Sequence, residues 1–292
     1  MNRLATPHPD DRADTAADVL LEVERLSVAL GELRPVDGVD LTLRAGETFA
    51  LLGESGCGKS MTALALMRLL PDGGRITAGS VRFHGEELLS LSEASMRTVR
   101  GGRVGMIFQE PSTSLNPVMT VSEQIGEVLA VHRGLRGAAA RGECRRLLEA
   151  VGIPDPAERL DAYPFQLSGG MKQRVAIARS LANGPEIILM DEPFGALDSQ
   201  TRSVMQQLLL GIWEKEHKTV LFVTHDIDEA LYLGEKVYVM SARPGRIIDT
   251  IPVDFAHPRS YELSTEPAFV ELKRRIQHSL HAEVHRALSS AA

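Results

Sequence analysis

Cysteine is scarce in this 292-residue chain, which carries only Cys57 and Cys144. Two thiols build neither a disulfide framework nor a four-ligand zinc site, so a reducing compartment is the natural setting. Long apolar runs are missing too. The most apolar helix-forming stretch, Met61 to Leu70, is interrupted by Arg68 and is far shorter than the roughly 20 apolar residues a membrane-spanning helix needs. Positive charge is not in excess: the net charge is −7, which argues against a nucleic-acid partner held by a general basic surface. The first residues, Met1 to Asp18, have no large apolar residue after Leu4 but include Pro7, Pro9, Asp10, Asp11, Asp14 and Asp18. That stretch has no secretory h-region and reads as a disordered tail. No internal repeat is visible.

What is present is an ordinary globular composition, 43% hydrophobic and 24% charged, at a length that suits one large α/β domain with a subdomain. Four short aliphatic runs, Thr48 to Leu52, Val104 to Phe108, Ile187 to Met190 and Val220 to Val223, predict parallel strands covered on both faces by helices. Polar residues follow each of them: Gly53, Gln109, Asp191, and the pair Thr224 and His225. Ligands of open α/β sheets collect at the carboxyl ends of strands, so four such ends point to one crevice. Val19 to Val28 and Val39 to Leu43 alternate apolar with polar residues and predict a half-exposed antiparallel sheet.

Between Thr113 and Pro164 the period becomes helical. Cys144, Leu147, Leu148 and Val151 share one helix face, which makes Cys144 a core residue. Phe269, Leu272, Ile276 and Leu280 predict a final helix, with Lys273 to Arg275 as its solvated face.

The segment Gly53-Glu54-Ser55-Gly56-Cys57-Gly58-Lys59-Ser60 has the pattern G-x-x-x-x-G-K-[ST] between an expected strand and an expected helix. Glycines let successive backbone N–H groups turn toward phosphate oxygens, and the helix N-terminus adds partial positive charge. Lys59 supplies a cation for the β and γ phosphates, and Ser60 is placed to ligate Mg²⁺. The plainer alternative, a glycine-rich turn that happens to carry Lys-Ser, does not require that flanking context. Cys57 reads as a small residue that fits the loop rather than as a reactive thiol. Downstream, Ile187 to Met190 ends in Asp191 and Glu192, one carboxylate for the metal shell and one for the attacking water.

Leu167-Ser168-Gly169-Gly170-Met171-Lys172-Gln173-Arg174 lies just upstream of that strand. It resembles the signature motif of ATP-binding cassette (ABC) ATPases. Gln109, the segment Ala196-Leu197-Asp198, and His225 resemble that family's Q-loop, D-loop and switch histidine in order. The resemblance covers about Val19 to Arg246. It implies a P-loop NTPase fold of α/β class: a mostly parallel sheet, an antiparallel β-subdomain and a helical subdomain at about residues 113–172. The ATPase domain would span 19–250, after the tail at 1–18 and before a C-terminal extension with a helix at 251–292.

The resemblance also implies roles for residues. Gly53, Glu54, Ser55, Gly56, Cys57, Gly58, Lys59, Ser60 and Met61 would hold ATP, and Ser60, Gln109 and Asp191 would hold Mg²⁺. Glu192, His225 and Gln109 would be catalytic. Ser168, Gly169, Gly170 and Asp198 would act across a head-to-tail dimer, where the signature of one subunit covers the ATP of the other. One departure is Leu30, at the position where the family usually stacks an aromatic on adenine.

Two importer types are resembled in different regions. From Val36 to about Pro164, phrases such as Met106-Ile107-Phe108-Gln109-Glu110-Pro111 and Thr113-Ser114-Leu115-Asn116-Pro117 are similar to peptide and nickel importer ATPases. From about Arg174 onward, Asp191 to Arg202, Ser241-Ala242-Arg243-Pro244-Gly245-Arg246 and Pro267 to Leu280 are similar to nitrate, sulfonate and taurine importer ATPases. The missing peptide-type tail tilts the expectation toward the second group. The implied partners are a second ATPase subunit, transmembrane permease subunits and, indirectly, a solute-binding protein, with the chain peripheral on the cytoplasmic face of the inner membrane. A non-transport or export ABC ATPase is the alternative.

Overall fold

The computed structural model describes residues 19–109, 114–195 and 197–290. The expected tail at 1–18, residues 110–113 and Ala196 of the D-loop segment lie outside the described residues. The chain opens with β1 (Val19–Leu30) and β2 (Leu33–Arg44), an antiparallel hairpin turning at Gly31. It then enters β3 (Thr48–Leu52), every residue of which is buried. After a glycine-rich turn comes α1 (Lys59–Leu66). The chain returns to the first sheet as β4 (Gly74–Phe83) and β5 (Glu86–Glu87), giving four antiparallel strands in the order β2-β1-β4-β5.

Helix α1 ends earlier than the apolar run to Leu70 suggested. Arg68 takes a left-handed φ of 51° and donates to the carbonyls of Leu88 and Leu91 at 3.2 and 2.7 Å, so a long-range contact turns the chain out of the helix.

A short α2 (Glu93–Val99), capped by Ser92, leads to β6 (Val104–Ile107). The helical subdomain follows: α3 (Val121–Arg133), α4 (Gly137–Ala150) and the single turn α5 (Pro156–Arg159). Helix α3 starts at a capping box in which Thr120 and Glu123 satisfy each other's backbone N–H. Cys144, Leu147, Leu148 and Val151 are all buried as one face, and burial pushes the Cys144 thiol up to about 11.

The chain then runs through α6 (Gly169–Leu181), β7 (Ile187–Asp191), α7 (Ser199–Glu216), β8 (Thr219–Thr224), α8 (Ile227–Leu233), β9 (Lys236–Met240), β10 (Ile247–Pro252) and α9 (Pro267–Ser290). The second sheet has the order β10-β9-β3-β8-β7-β6 and is parallel except for β10. Its residues alternate between two cores. Phe49, Leu51, Leu189 and Leu221 pack with Val28, Val36 and Phe83 of the first sheet, while Ala50, Leu52, Ile188, Met190 and Phe222 pack under the helices. This two-sided burial is why these strands read as unbroken aliphatic runs.

Phe269 and Ile276 of α9 are buried, and Leu272 and Leu280 pack against the same core. The basic run is not a purely solvated face. Lys273 pairs with Asp228 of α8 at 2.7 Å and Arg275 with Asp249 of β10 at 3.1 Å. Between β10 and α9, the buried guanidinium of Arg259 donates to the carbonyls of Leu231, Tyr232, Gly234 and Val253. No described helix is long and apolar enough to cross a membrane.

Candidate functional site

Four parallel strands, β3, β6, β7 and β8, deliver the site residues at their carboxyl ends, on one side of the second sheet. The loop after β3 takes positive φ at Gly56 (78°) and Gly58 (108°), conformations that L side chains rarely adopt. A Cβ at Gly58 would also collide with the backbone carbonyl of Pro35 on β2. Lys59 is buried, and its ammonium donates to the carbonyls of Gly53 and Glu54, both at 2.8 Å. The Cys57 N–H reaches the same Glu54 carbonyl at 3.3 Å, so the lysine and a backbone donor converge inside the loop. Burial pushes the Cys57 thiol up, against the lowering influence of Lys59, and makes it a poor nucleophile. Met61 packs at the margin of the core beneath the first sheet.

Ser60 Oγ donates to Asp191 Oδ1 at 2.8 Å, joining the start of α1 to the end of β7. Burial raises the Asp191 carboxyl above its ordinary range; the Ser60 hydrogen bond opposes this, Glu192 adds to it and Lys59 counters it. Glu192 follows at φ 43°, an unusual conformation for a side-chain-bearing residue, with its N–H held by the Val223 carbonyl of β8 at 3.0 Å. That turn brings three groups to one carboxylate. Lys59 Nζ stands 4.0 Å from Oε1, while Gln109 Nε2 and His225 Nδ1 stand 3.3 and 3.2 Å from Oε2. The Glu192 side chain is 14% exposed and that of His225 52%, so the carboxylate is enclosed while the imidazole faces outward.

The signature residues are elsewhere. Ser168 caps α6, its Oγ accepting from the Met171 N–H at 3.3 Å, and Gly170 lies against Thr201 so closely that a Cβ would crowd the methyl of that side chain. Asp198 caps α7 by accepting from the N–H and hydroxyl of Thr201 at 2.9 and 2.7 Å, which holds its carboxyl below the usual range. Among the described residues, no hydrogen bond or ion pair joins Ser168, Gly169, Gly170 or Asp198 to the loop Gly53–Ser60. Leu30 ends β1, half-buried, opposite Leu33 and Gly74.

Two supporting groups carry roles that the sequence reading does not assign. Gln173 is fully buried in α6 and donates to the Pro193 carbonyl at 2.8 Å, tying the signature helix to the residue after Glu192. Behind His225, the buried Glu229 accepts from Thr224 at 2.7 Å and from Gln206 at 3.3 Å, with its carboxyl raised by burial. The helix Ile227–Leu233 opens with two acids, Asp228 and Glu229, and the apolar run that follows is the only sequence signal that one of them turns inward.

The model of the family described as ABC transporter matches residues 36–195. The chain belongs to the ABC transporter family. Among the relatives of this ABC chain is the oligopeptide transport ATP-binding protein OppD of Bacillus subtilis (strain 168), 42% identical over 247 residues, covering 82% of this chain and 68% of that protein. The dipeptide transport ATP-binding protein DppD of Escherichia coli (strain K12) is 43% identical over 235 residues, covering 79% and 71%. An uncharacterized ABC transporter ATP-binding protein of the same bacterium, YejF, is 44% identical over 260 residues, or 85% of this chain; the match spans about half of that relative, 49%.

Among solved structures, the dimeric post-hydrolysis state of the ATP-binding cassette MJ0796 bound to ADP and Pi superposes with a TM-score of 0.70 at 30% identity, covering 80% of this chain and 99% of that one. The fold is therefore that of an ABC ATPase. The OppD alignment is long enough to run through both halves of the chain, so likeness to peptide-type relatives does not stop near Pro164. The expected tilt toward the nitrate, sulfonate and taurine group is not supported.

Proposed function

We propose that this chain is the ATP-hydrolysing subunit of an ABC importer, of the peptide or dipeptide type named for its relatives. The observation that carries the reading is the convergence of Lys59, Gln109 and His225 on the Glu192 carboxylate, directly beside the Ser60–Asp191 pair. Lys59 binds the β and γ phosphates and gives up its carbonyl partners in the loop to do so. Glu192 orients the attacking water and takes its proton. His225 and Gln109, on either side of that carboxylate, hold its direction and meet the γ phosphate.

Magnesium fits the residues present. Ser60 and Asp191 bring two oxygens together at the mouth of the loop and would hold the ion there, a hard cation that is satisfied by a few protein oxygens. Gln109 gives its amide N–H to Glu192, which leaves its carbonyl oxygen for the same shell. The chemistry supplied by such an ion would be neutralisation of developing phosphate charge.

Ser168, Gly169 and Gly170 act on the ATP of a second subunit, whose signature in turn covers this chain's loop; the start of α6 is a ready anion site for that purpose. Permease subunits hold the pair on the cytoplasmic face of the membrane, and a solute-binding protein delivers the cargo to them. The test is Lys59→Ala. Calorimetric titration is expected to show ATP affinity lost by about tenfold or more, because the phosphates lose their charge-assisted partner. Unchanged affinity would remove the loop from the site.

A further inference from the structure

The loop between β9 and β10, Ser241 to Arg246, lies across the outer side of the phosphate loop. Its backbone is tied to β2 by Gly245 N–H to the Pro35 carbonyl and by Asp37 N–H to the Gly245 carbonyl, both at 3.0 Å. Arg246 pairs with Asp37, with Nε at 3.0 Å from Oδ2, and this pairing is the main cause of the lowered Asp37 carboxyl. Gly245 runs so close beneath that an added Cβ would strike the Cys57 carbonyl. From this anchored crossing Arg243 reaches down, and its Nε donates to the Gly56 carbonyl at 2.9 Å.

We propose that Arg243 is a positioning residue of the phosphate loop, fixing the Gly56–Cys57 peptide with its carbonyl outward and its N–H inward. In a trans peptide the C=O and N–H point in opposite directions, so holding the carbonyl against the guanidinium sets the direction of the Cys57 donor. The inward direction is visible: the Cys57 N–H meets the Glu54 carbonyl that Lys59 also caps. Gly56 at φ 78° has no side chain to lock its own rotation, and glycine crosses φ/ψ space at little cost. Without Arg243 only the 3.3 Å hydrogen bond from Cys57 to the Glu54 carbonyl holds the peptide plane, and that bond must open for the donor to meet a phosphate, so the plane is no longer fixed at each binding event. The guanidinium meets the carbonyl side of the peptide, opposite the N–H, and among the described residues makes no hydrogen bond to Glu192, so its influence falls on binding and not on the proposed water-activating group. This inference rests on the reading that Gly53–Ser60 binds ATP.

The experiment compares Arg243→Gln, Arg243→Lys and Lys59→Ala in the full chain, using Mg-ATP as the probe. Arg243→Gln is expected to weaken ATP affinity and raise KM by about tenfold, the loss of one charge-assisted hydrogen bond, with kcat within about twofold. The melting temperature without nucleotide is expected to be unchanged, because Arg243 is exposed. Arg243→Lys keeps a donor and should restore part of the affinity. If Lys59→Ala abolishes binding while both Arg243 variants bind like the parent, the positioning role is wrong and the site stands. An affinity loss in Arg243→Gln accompanied by a lowered melting temperature, or by an equal loss in kcat, also overturns it. If Lys59→Ala binds normally, the phosphate-site reading itself has failed.

Discussion

His225 Nδ1 stands 3.2 Å from Glu192 Oε2, and Glu192 presents that oxygen from a backbone held at φ 43°. The turn is secured by the Val223 carbonyl on its N–H and by the Gly195 N–H on its own carbonyl, at 3.0 and 3.1 Å. A carboxylate placed this way is fixed by the sheet, whereas the imidazole opposite it is largely exposed and has room to turn.

Glu192→Gln is expected to keep ATP binding and to lower turnover by about 100-fold or more, since the amide preserves shape but cannot take a proton. Single-turnover phosphate release alongside nucleotide titration checks it. Near-normal release would move the base to another residue.

Leu30→Tyr is expected to tighten ATP binding by up to about 1–3 kcal/mol and to widen the preference for ATP over GTP, the value of stacking a base on an aromatic ring. Leu30 is half-buried at the end of β1, so a ring there projects from a fixed strand terminus. Titration with both nucleotides decides the matter; equal affinities before and after would show that the base does not lie over this residue.

Glu143 in the helical subdomain accepts from Arg146 at 2.8 and 2.9 Å and from Arg133 at 2.9 Å. The Arg146 hydrogen bonds are the main cause that holds its carboxyl at about 2, below the ordinary 4.5. The folded state favours the charged form, so this stabilisation is complete above pH 4.5 and is lost as pH falls toward 2. Glu143→Gln should therefore lower the melting temperature at neutral pH by about 2 °C or more, and the gap from the parent should close through that acid window. A gap independent of pH would mean that packing, not charge, is responsible.

If Ser168 and Gly170 act on the ATP of a second copy, as proposed, the isolated chain should hydrolyse ATP with a specific activity that rises with its own concentration. Ser168→Glu and Lys59→Ala are each expected to be inactive alone. Mixed, they should regain activity through one composite site pairing the intact loop of the first with the intact signature of the second. Constant specific activity on dilution, with no gain on mixing, would mean that one chain suffices.

The legible parts of this fold were those whose causes lie within a few residues. Thr48 to Leu52 reads as a strand because every residue is buried between two layers, and Cys144, Leu147, Leu148 and Val151 read as a helix face because one core takes all four. Lys59, Ser60, Asp191, Glu192, Gln109 and His225 could be named because each follows a recognisable run. What was not legible depends on contacts across the chain. The early end of α1 is set by Arg68 meeting Leu88 and Leu91, and the ion pairs of Lys273 and Arg275 need Asp228 and Asp249, which only the fold brings near. Gln173 looked like part of a motif, yet it is buried against Pro193. The nitrate-type likeness of the second half rests on short phrases such as Ser241 to Arg246, whose arginines meet Gly56 and Asp37 far away in the chain.

The buried guanidinium of Arg259 closes the carbonyl end of α8, the helix that follows His225, from a point beyond β10. The residues gathered around Glu192 finish at position 225, but the chain needed to hold them in register does not. A version trimmed just after β10 would leave the Leu231, Tyr232 and Gly234 carbonyls facing an apolar core without a donor, and buried carbonyls in that state are costly. The shortest piece expected to fold is thus longer than the stretch that carries the motifs, and expression boundaries drawn from the motifs alone would cut away the donor that Arg259 supplies.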